Sequence, residues 1–132
     1  MNVCRFGVSL EDDLLEKLDD YVEKHHFPNR SQAIRHLIRN LHVAEIWKEN
    51  QMAAGSIVLI YDHHKNRLVN SLLSIQHDFS EVILSSQHVH LDHDNCLETI
   101  VVRGKPSDIY NLADRLTAIK GIKHGNLAIS GF

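Results

Sequence analysis

Three side chains able to hold a transition metal fall within a nine-residue window: His88, His90 and Cys96. The surrounding stretch, Ser86 to Val102, alternates in polarity and predicts two strands. Asp92-His93-Asp94-Asn95 forms the turn between them. Strand residues i and i+2 face the same way, so His88 and His90 project side by side, about 6–7 Å apart at Cα. The hairpin can return Cys96 towards them. Two imidazoles and a thiolate make three ligands of a four-ligand site. Exposed strand histidines with no such role are the plainer alternative. The chain has 11 His but only 2 Cys and no C-x-x-C spacing, which argues against structural zinc. The donor set suits Ni(II), Cu(II) or a catalytic type of zinc.

The elements that must position these residues follow from periodicity. Ser56 to Tyr61 reads as a buried strand and Lys65 to Phe79 as a helix with Leu68, Leu72, Leu73 and Ile75 on its apolar side. The two strands of the hairpin span Ser80–Leu91 and Cys96–Arg103. After Gly104-Lys105-Pro106, Ser107 is read as the cap of a helix that Gly121 stops, and Ile122 to Ile129 is a last strand. The order β-α-β-β-α-β is ferredoxin-like, here of the ACT kind. Gln51 to Gly55 lacks periodicity and reads as a linker, dividing the chain into 1–50 and 51–132.

The first part is different. Cys4, Phe6, Val8 and Leu10 alternate with Arg5, Gly7 and Ser9, which predicts a strand over Val3–Leu10. No other strand signal follows until Ser56, so its simplest partner is the same strand of a second copy. Glu11 to His25 reads as a helix with an acidic first turn and an apolar stripe of Leu14, Leu15, Leu18, Tyr21 and Val22. Phe27-Pro28-Asn29 breaks it. Asn29 or Ser31 can cap a second helix, whose stripe is Ala33, Ile34, Leu37, Ile38, Leu41 and Ala44. Arg30 and Arg35 flank that helix N-terminus, a ready place for a phosphate. From Lys24 to Ala44 there is no Asp or Glu, although the flanks are acidic. This basic island is either a nucleic-acid patch or a solvated helix face.

Bulk composition sets wider bounds. A hydrophobic content of 43% and a charged content of 23% are those of a folded globular chain. No apolar run is long enough to cross a membrane, and the start, MNVCRFGVSLEDD, has no basic segment ahead of an apolar core. Two distant cysteines offer no disulfide framework, which points to a reducing cytoplasm. The net charge of −3 gives no global argument for nucleic acid.

Residues 3–48 resemble a ribbon-helix-helix DNA-binding domain through VCRFGVSL, EDDLLEKLD and NRSQAIRHLIRN. The whole chain resembles the nickel-responsive transcriptional regulators of the NikR family. The motifs that carry this are Gln76-His77, His88-Val89-His90, Asp94-Asn95-Cys96-Leu97-Glu98 and Gly121-Ile122-Lys123-His124-Gly125. The resemblance implies an α+β chain that assembles as a homotetramer, a dimer of dimers. It implies one Ni(II) per subunit, held by His88, His90 and Cys96 of one subunit and His77 of another. Three nitrogens and a thiolate suit square-planar Ni(II). Glu98 would orient a ligand by hydrogen bonding. Arg5, Gly7 and Ser9 would face operator DNA, with Gly7 departing from the usual side-chain donor; Arg30, Ser31, Arg35 and Lys65 would hold phosphates. The family's weaker cation site needs two carboxylates where this chain has Gln32 and His36, so that site is not expected in its usual form.

The expected function is a cytoplasmic, nickel-sensing repressor of nickel-uptake genes, with operator DNA as partner and neither a membrane nor a small-molecule substrate. Two alternatives stand beside it. One is a ribbon-helix-helix regulator that answers to another transition metal. The other is a His/Cys zinc metalloenzyme, which would need a general base; only Asp92, Asp94 and Glu98 lie near enough in sequence. His63 and His124 are read as capable of tuning a secondary metal site.

Overall fold

The computed structural model describes residues 2–132. The chain divides into two compact units, Met1–Leu41 and His42–Phe132.

In the first unit, residues 2–11 form no strand, and each is exposed. Apolar Phe6 and Val8 lie open at 73% and 58%. The expected strand over Val3–Leu10 is thus absent from the single chain. The physical reason is that a strand needs a second strand to satisfy its N–H and C=O groups, and this unit offers none. Helix α1, Asp12–Lys24, starts with Asp12 and Asp13 at the positive end of its dipole. His25 caps it and His26 turns left-handed at φ 58°. Helix α2, Arg30–Lys48, begins where the Asn29 Oδ1 accepts the Gln32 N–H at 2.9 Å, so Asn29 rather than Ser31 is its N-cap.

The second unit holds the last two turns of α2 and everything after them. Ile46 and Trp47 are buried in its core, and the Trp47 Nε1–H donates to the Ser130 carbonyl at 2.8 Å. Compact packing therefore divides the chain inside α2, upstream of the change in periodicity near residue 50. The segment read as a linker is not one. Strand β1, Ala53–Tyr61, begins there, and Ala53 is fully buried opposite Gly104. Helix α3, Asn66–Asp78, follows, then β2, Ile83–His90, β3, Cys96–Gly104, helix α4, Pro106–Thr117, and β4, His124–Ser130. All strand pairs are antiparallel and the sheet order is β2-β3-β1-β4, the ferredoxin-like arrangement expected from the β-α-β-β-α-β sequence.

One sheet face carries Ile57, Leu59, Tyr61, Cys96, Ile100 and Val102, all buried with Leu68 and Leu72 of α3 and Ile109, Leu112 and Leu116 of α4. Burial alternates strictly along β3, so the opposite face has no helix over it. The cap of α4 differs from expectation. Ser107 does not cap it; Lys105 occupies the cap position without a side-chain bond, and Pro106 is the first helical residue. The Asn50 Oδ1 accepts the Ser107 N–H at 2.8 Å instead.

Gly121 ends the segment after α4 at φ +102°, and a Cβ there would lie 2.8 Å from Leu68 Cδ1. Both the backbone conformation and the packing demand glycine. Gly121→Ala is expected to lower unfolding stability by about 1–3 kcal/mol. Urea denaturation of the metal-free protein checks this.

Candidate metal centre and nucleic-acid face

In the β2–β3 hairpin His90 lies opposite Cys96, and His88 lies opposite Glu98. Directly opposed residues project from the same face. On the other flank of β3, Tyr61 of β1 lies opposite Cys96. Register alone therefore gathers His88, His90, Cys96, Glu98 and Tyr61 on the helix side of the sheet, beside the edge strand. The imidazoles stay open to solvent while the Cys96 thiol is buried at 1% exposure.

Glu98 is the charged residue in the buried set, also at 1% exposure. A carboxylate removed from water must be paired or hydrogen-bonded. Three donors meet that need. The Tyr61 hydroxyl donates to Oε1 at 2.6 Å and the Gln76 amide to Oε2 at 2.8 Å, while His88 Nε2 lies 2.9 Å from Oε1. Burial, followed by the hydrogen bond to Glu98 and its charge, holds the Tyr61 pKa well above the ordinary phenol range. Tyr61 thus remains a donor. With Nε2 of His88 turned to the carboxylate, Nδ1 is the ring nitrogen left with a lone pair. This is the arrangement by which a carboxylate fixes the tautomer of a metal-binding histidine.

The family resemblance gave Glu98 a part in orienting a ligand, against the alternative of an exposed strand carboxylate; Glu98 is buried. Tyr61 was read only as a core strand residue, and Gln76 only as part of a motif. Neither carried a periodic or spacing signal for the hydrogen bond it makes, because both reach Glu98 across the fold.

His77 follows Gln76 in the last turn of α3 and is exposed. His88, His90 and Cys96 share a face but do not gather as three donors within 4.8 Å of one another in the single chain. The donor chemistry nonetheless fits nickel: a buried thiol opposite one imidazole, beside a second imidazole oriented by a carboxylate.

The residues expected to meet DNA are placed as follows. Arg5, Gly7 and Ser9 alternate along the exposed segment before α1, and a Cβ on Gly7 would meet nothing within 4 Å. Arg30 is engaged within its own unit by a two-pronged pair with Asp19, at 2.7 and 2.9 Å. Ser31 and Arg35 are exposed in the first turns of α2. Lys65 occupies the N-cap position of α3 without a side-chain cap bond. Where the family has its weaker cation site, His36 Nε2 lies 3.2 Å from the Asn40 amide and its ring lies tilted at 46°, 5.3 Å from that of Phe27. Among the described residues no group of three metal donors forms there.

No helix of the structure is long and apolar enough to cross a membrane. Comparison with known proteins also divides the chain in two, with the change between residues 45 and 54. The family described as NikR C terminal nickel binding domain matches residues 54–130, and that described as ribbon-helix-helix protein, copG family, matches residues 5–45. A protein of Syntrophus aciditrophicus named as a nickel-responsive regulator is 51% identical over 98% of this chain and 95% of its own length. One of the same name from Thermococcus onnurineus is 46% identical over 98% of this chain and 95% of its own. An uncharacterized protein of Thermotoga maritima has a solved structure that covers 60% of this chain and 98% of its own, with a TM-score of 0.55 at 15% identity, a likeness of fold. The chain belongs to the family of nickel-responsive regulators, in which a CopG-type ribbon-helix-helix domain precedes a NikR-type nickel-binding domain.

Proposed function

We propose that this regulator binds one nickel ion per chain through His88, His90 and Cys96 of one copy and His77 of another, and that this binding promotes operator recognition. The buried, triply bonded Glu98 carries the reading. A charge is not kept out of water without return, and this one fixes a histidine beside a buried thiol. Nickel would be held by ligands that must give up protons, so uptake weakens on acidification.

Assembly as a tetramer, a dimer of dimers, brings the second copy's His77 to the site. Two features support it. The edge strand β2 is exposed along nearly its whole length, and Val89 and Val101 stand open on the helix-free sheet face at 43% and 40%. Residues 2–11 leave an apolar row open that pairing with a second chain would cover. That pairing places Arg5, Gly7 and Ser9 together as a two-stranded ribbon able to enter the major groove, with Arg30, Ser31, Arg35 and Lys65 on phosphates. Arg30 must then leave or share Asp19. Residues 1–50 serve DNA and 51–132 serve metal. Nickel at the interface biases the placement of the DNA-binding dimers towards the operator half-sites. By linkage, operator DNA tightens nickel by the same factor. The target is repression of nickel-uptake genes in the cytoplasm.

Titration of the metal-free protein with Ni(II) is expected to raise a thiolate-to-nickel charge-transfer band that saturates at one equivalent per chain. Cys96→Ala is expected to abolish it. A band that persists in the variant, or none in the wild type, overturns the ligand set. Arg5→Ala is expected to cost about 1–3 kcal/mol of operator affinity, with nickel uptake unchanged. Gel-shift measurements with nickel present, on operator and on unrelated DNA, check that loss; an equal loss on both makes Arg5 a phosphate contact rather than a base reader.

A further inference from the structure

Arg30 is the arginine of the basic island that already holds an anion. Between Lys24 and Ala44 the chain has no Asp or Glu, so a carboxylate that neutralises any part of the island must come from outside it. Asp19 of α1 supplies one. Arg30 Nε donates to Asp19 Oδ1 at 2.7 Å, and Nη2 donates to Oδ2 at 2.9 Å. Arg35 and Arg39 stand exposed farther along α2 and have no carboxylate within 4.0 Å among the described residues.

The local fold sets this pair. Asn29 caps α2 through the Gln32 N–H, which makes Arg30 the first residue of that helix, across the turn from α1. Two parallel N–H groups on two oxygens is also the geometry by which a guanidinium grips a phosphate. The hydrogen bond from Arg30 holds the Asp19 pKa below the ordinary carboxylate range, so the anion persists at neutral pH. The pair is open to water, with 56% of the Arg30 side chain and 47% of the Asp19 side chain exposed. An ion pair so exposed adds little to folding. Its larger effect is on the charge that an incoming anion meets.

We propose that Asp19 is a built-in counter-anion of Arg30 that restrains binding to the DNA backbone. The inference rests on the phosphate contact proposed above for Arg30. A phosphodiester that takes the same edge of the guanidinium must displace Asp19. One that takes the remaining N–H groups meets a cation whose charge is already compensated. In both cases the contact is weaker than with a free arginine. Phosphate contacts carry no sequence information, so the restraint acts alike on every duplex. It lowers sequence-independent binding and leaves the choice of site to base contacts.

The test is fluorescence anisotropy of a labelled duplex of arbitrary sequence with the full-length, nickel-loaded protein, across a series of salt concentrations. Asp19→Asn is expected to tighten binding about two- to fivefold, the factor an exposed ion pair can withhold. The slope of log affinity against log salt is expected to steepen by up to about one. Asp20→Asn removes the same charge from the neighbouring exposed residue, which has no cation within 4.0 Å among the described residues, and is expected to leave the slope as in the wild type. Arg30→Ala is expected to weaken binding. Weaker binding in Asp19→Asn, or an effect no larger than that of Asp20→Asn, overturns the proposal; if Arg30→Ala still weakens binding, the phosphate contact stands. Unaltered binding in Arg30→Ala removes that contact and the proposal with it.

Discussion

A buried carboxylate governs the second half of this chain. Glu98 sits in the core at 1% exposure, and the elements around it are arranged to make that tolerable. β1 contributes Tyr61, the last turn of α3 contributes Gln76, and β2 contributes His88. The cost of leaving the charge unpaired would be several kcal/mol, so the three donors are obligatory partners rather than incidental contacts. The same interaction fixes register. A one-residue slip of β2 against β3 would move His88 and His90 to the opposite face, away from both Cys96 and Glu98. The carboxylate thus aligns the hairpin that carries His88, His90 and Cys96 and ties it to the helix that carries His77.

The domain boundary follows from packing as well. α2 runs unbroken from Arg30 to Lys48, yet its final turns belong to the second unit because Ile46 and Trp47 are core residues there. Trp47 stacks edge-on with Tyr110 at 5.2 Å and spends its indole N–H on Ser130. The boundary between the two compact units therefore falls within a helix, between Leu41 and His42, and not at a change of composition along the chain.

The N-terminal segment illustrates a different constraint. Its alternation of Phe6 and Val8 with Arg5, Gly7 and Ser9 is a strand pattern without a strand. Nothing local decides between extended chain and strand, because a strand needs hydrogen bonds from a second strand and the segment has none beside it. The apolar side chains remain exposed for the same reason.

Much of this was legible in the sequence. Periods of 2 and 3.6, with one continuous apolar run at Ser56–Tyr61, located all eight elements and the ferredoxin-like order, since burial of one face is what those periods encode. The H-x-H spacing and the cysteine across a tight turn named candidate donors that the register then sets on one face, because strand alternation and hairpin return are local geometry. What failed was non-local. The QMAAG segment has small, weakly patterned residues, but β3 and β4 flank it and make it the centre of the sheet. Ser107 has the chemistry of a cap, but Asn50, distant in sequence, supplies the bond. The sequence by itself determined which residues can bind metal and which faces are apolar. Only the tertiary structure decided that Glu98 is buried, that Tyr61 and Gln76 hold it, and that Asp62, His63 and His64 converge, because hydrogen bonds between remote segments leave no period along the chain.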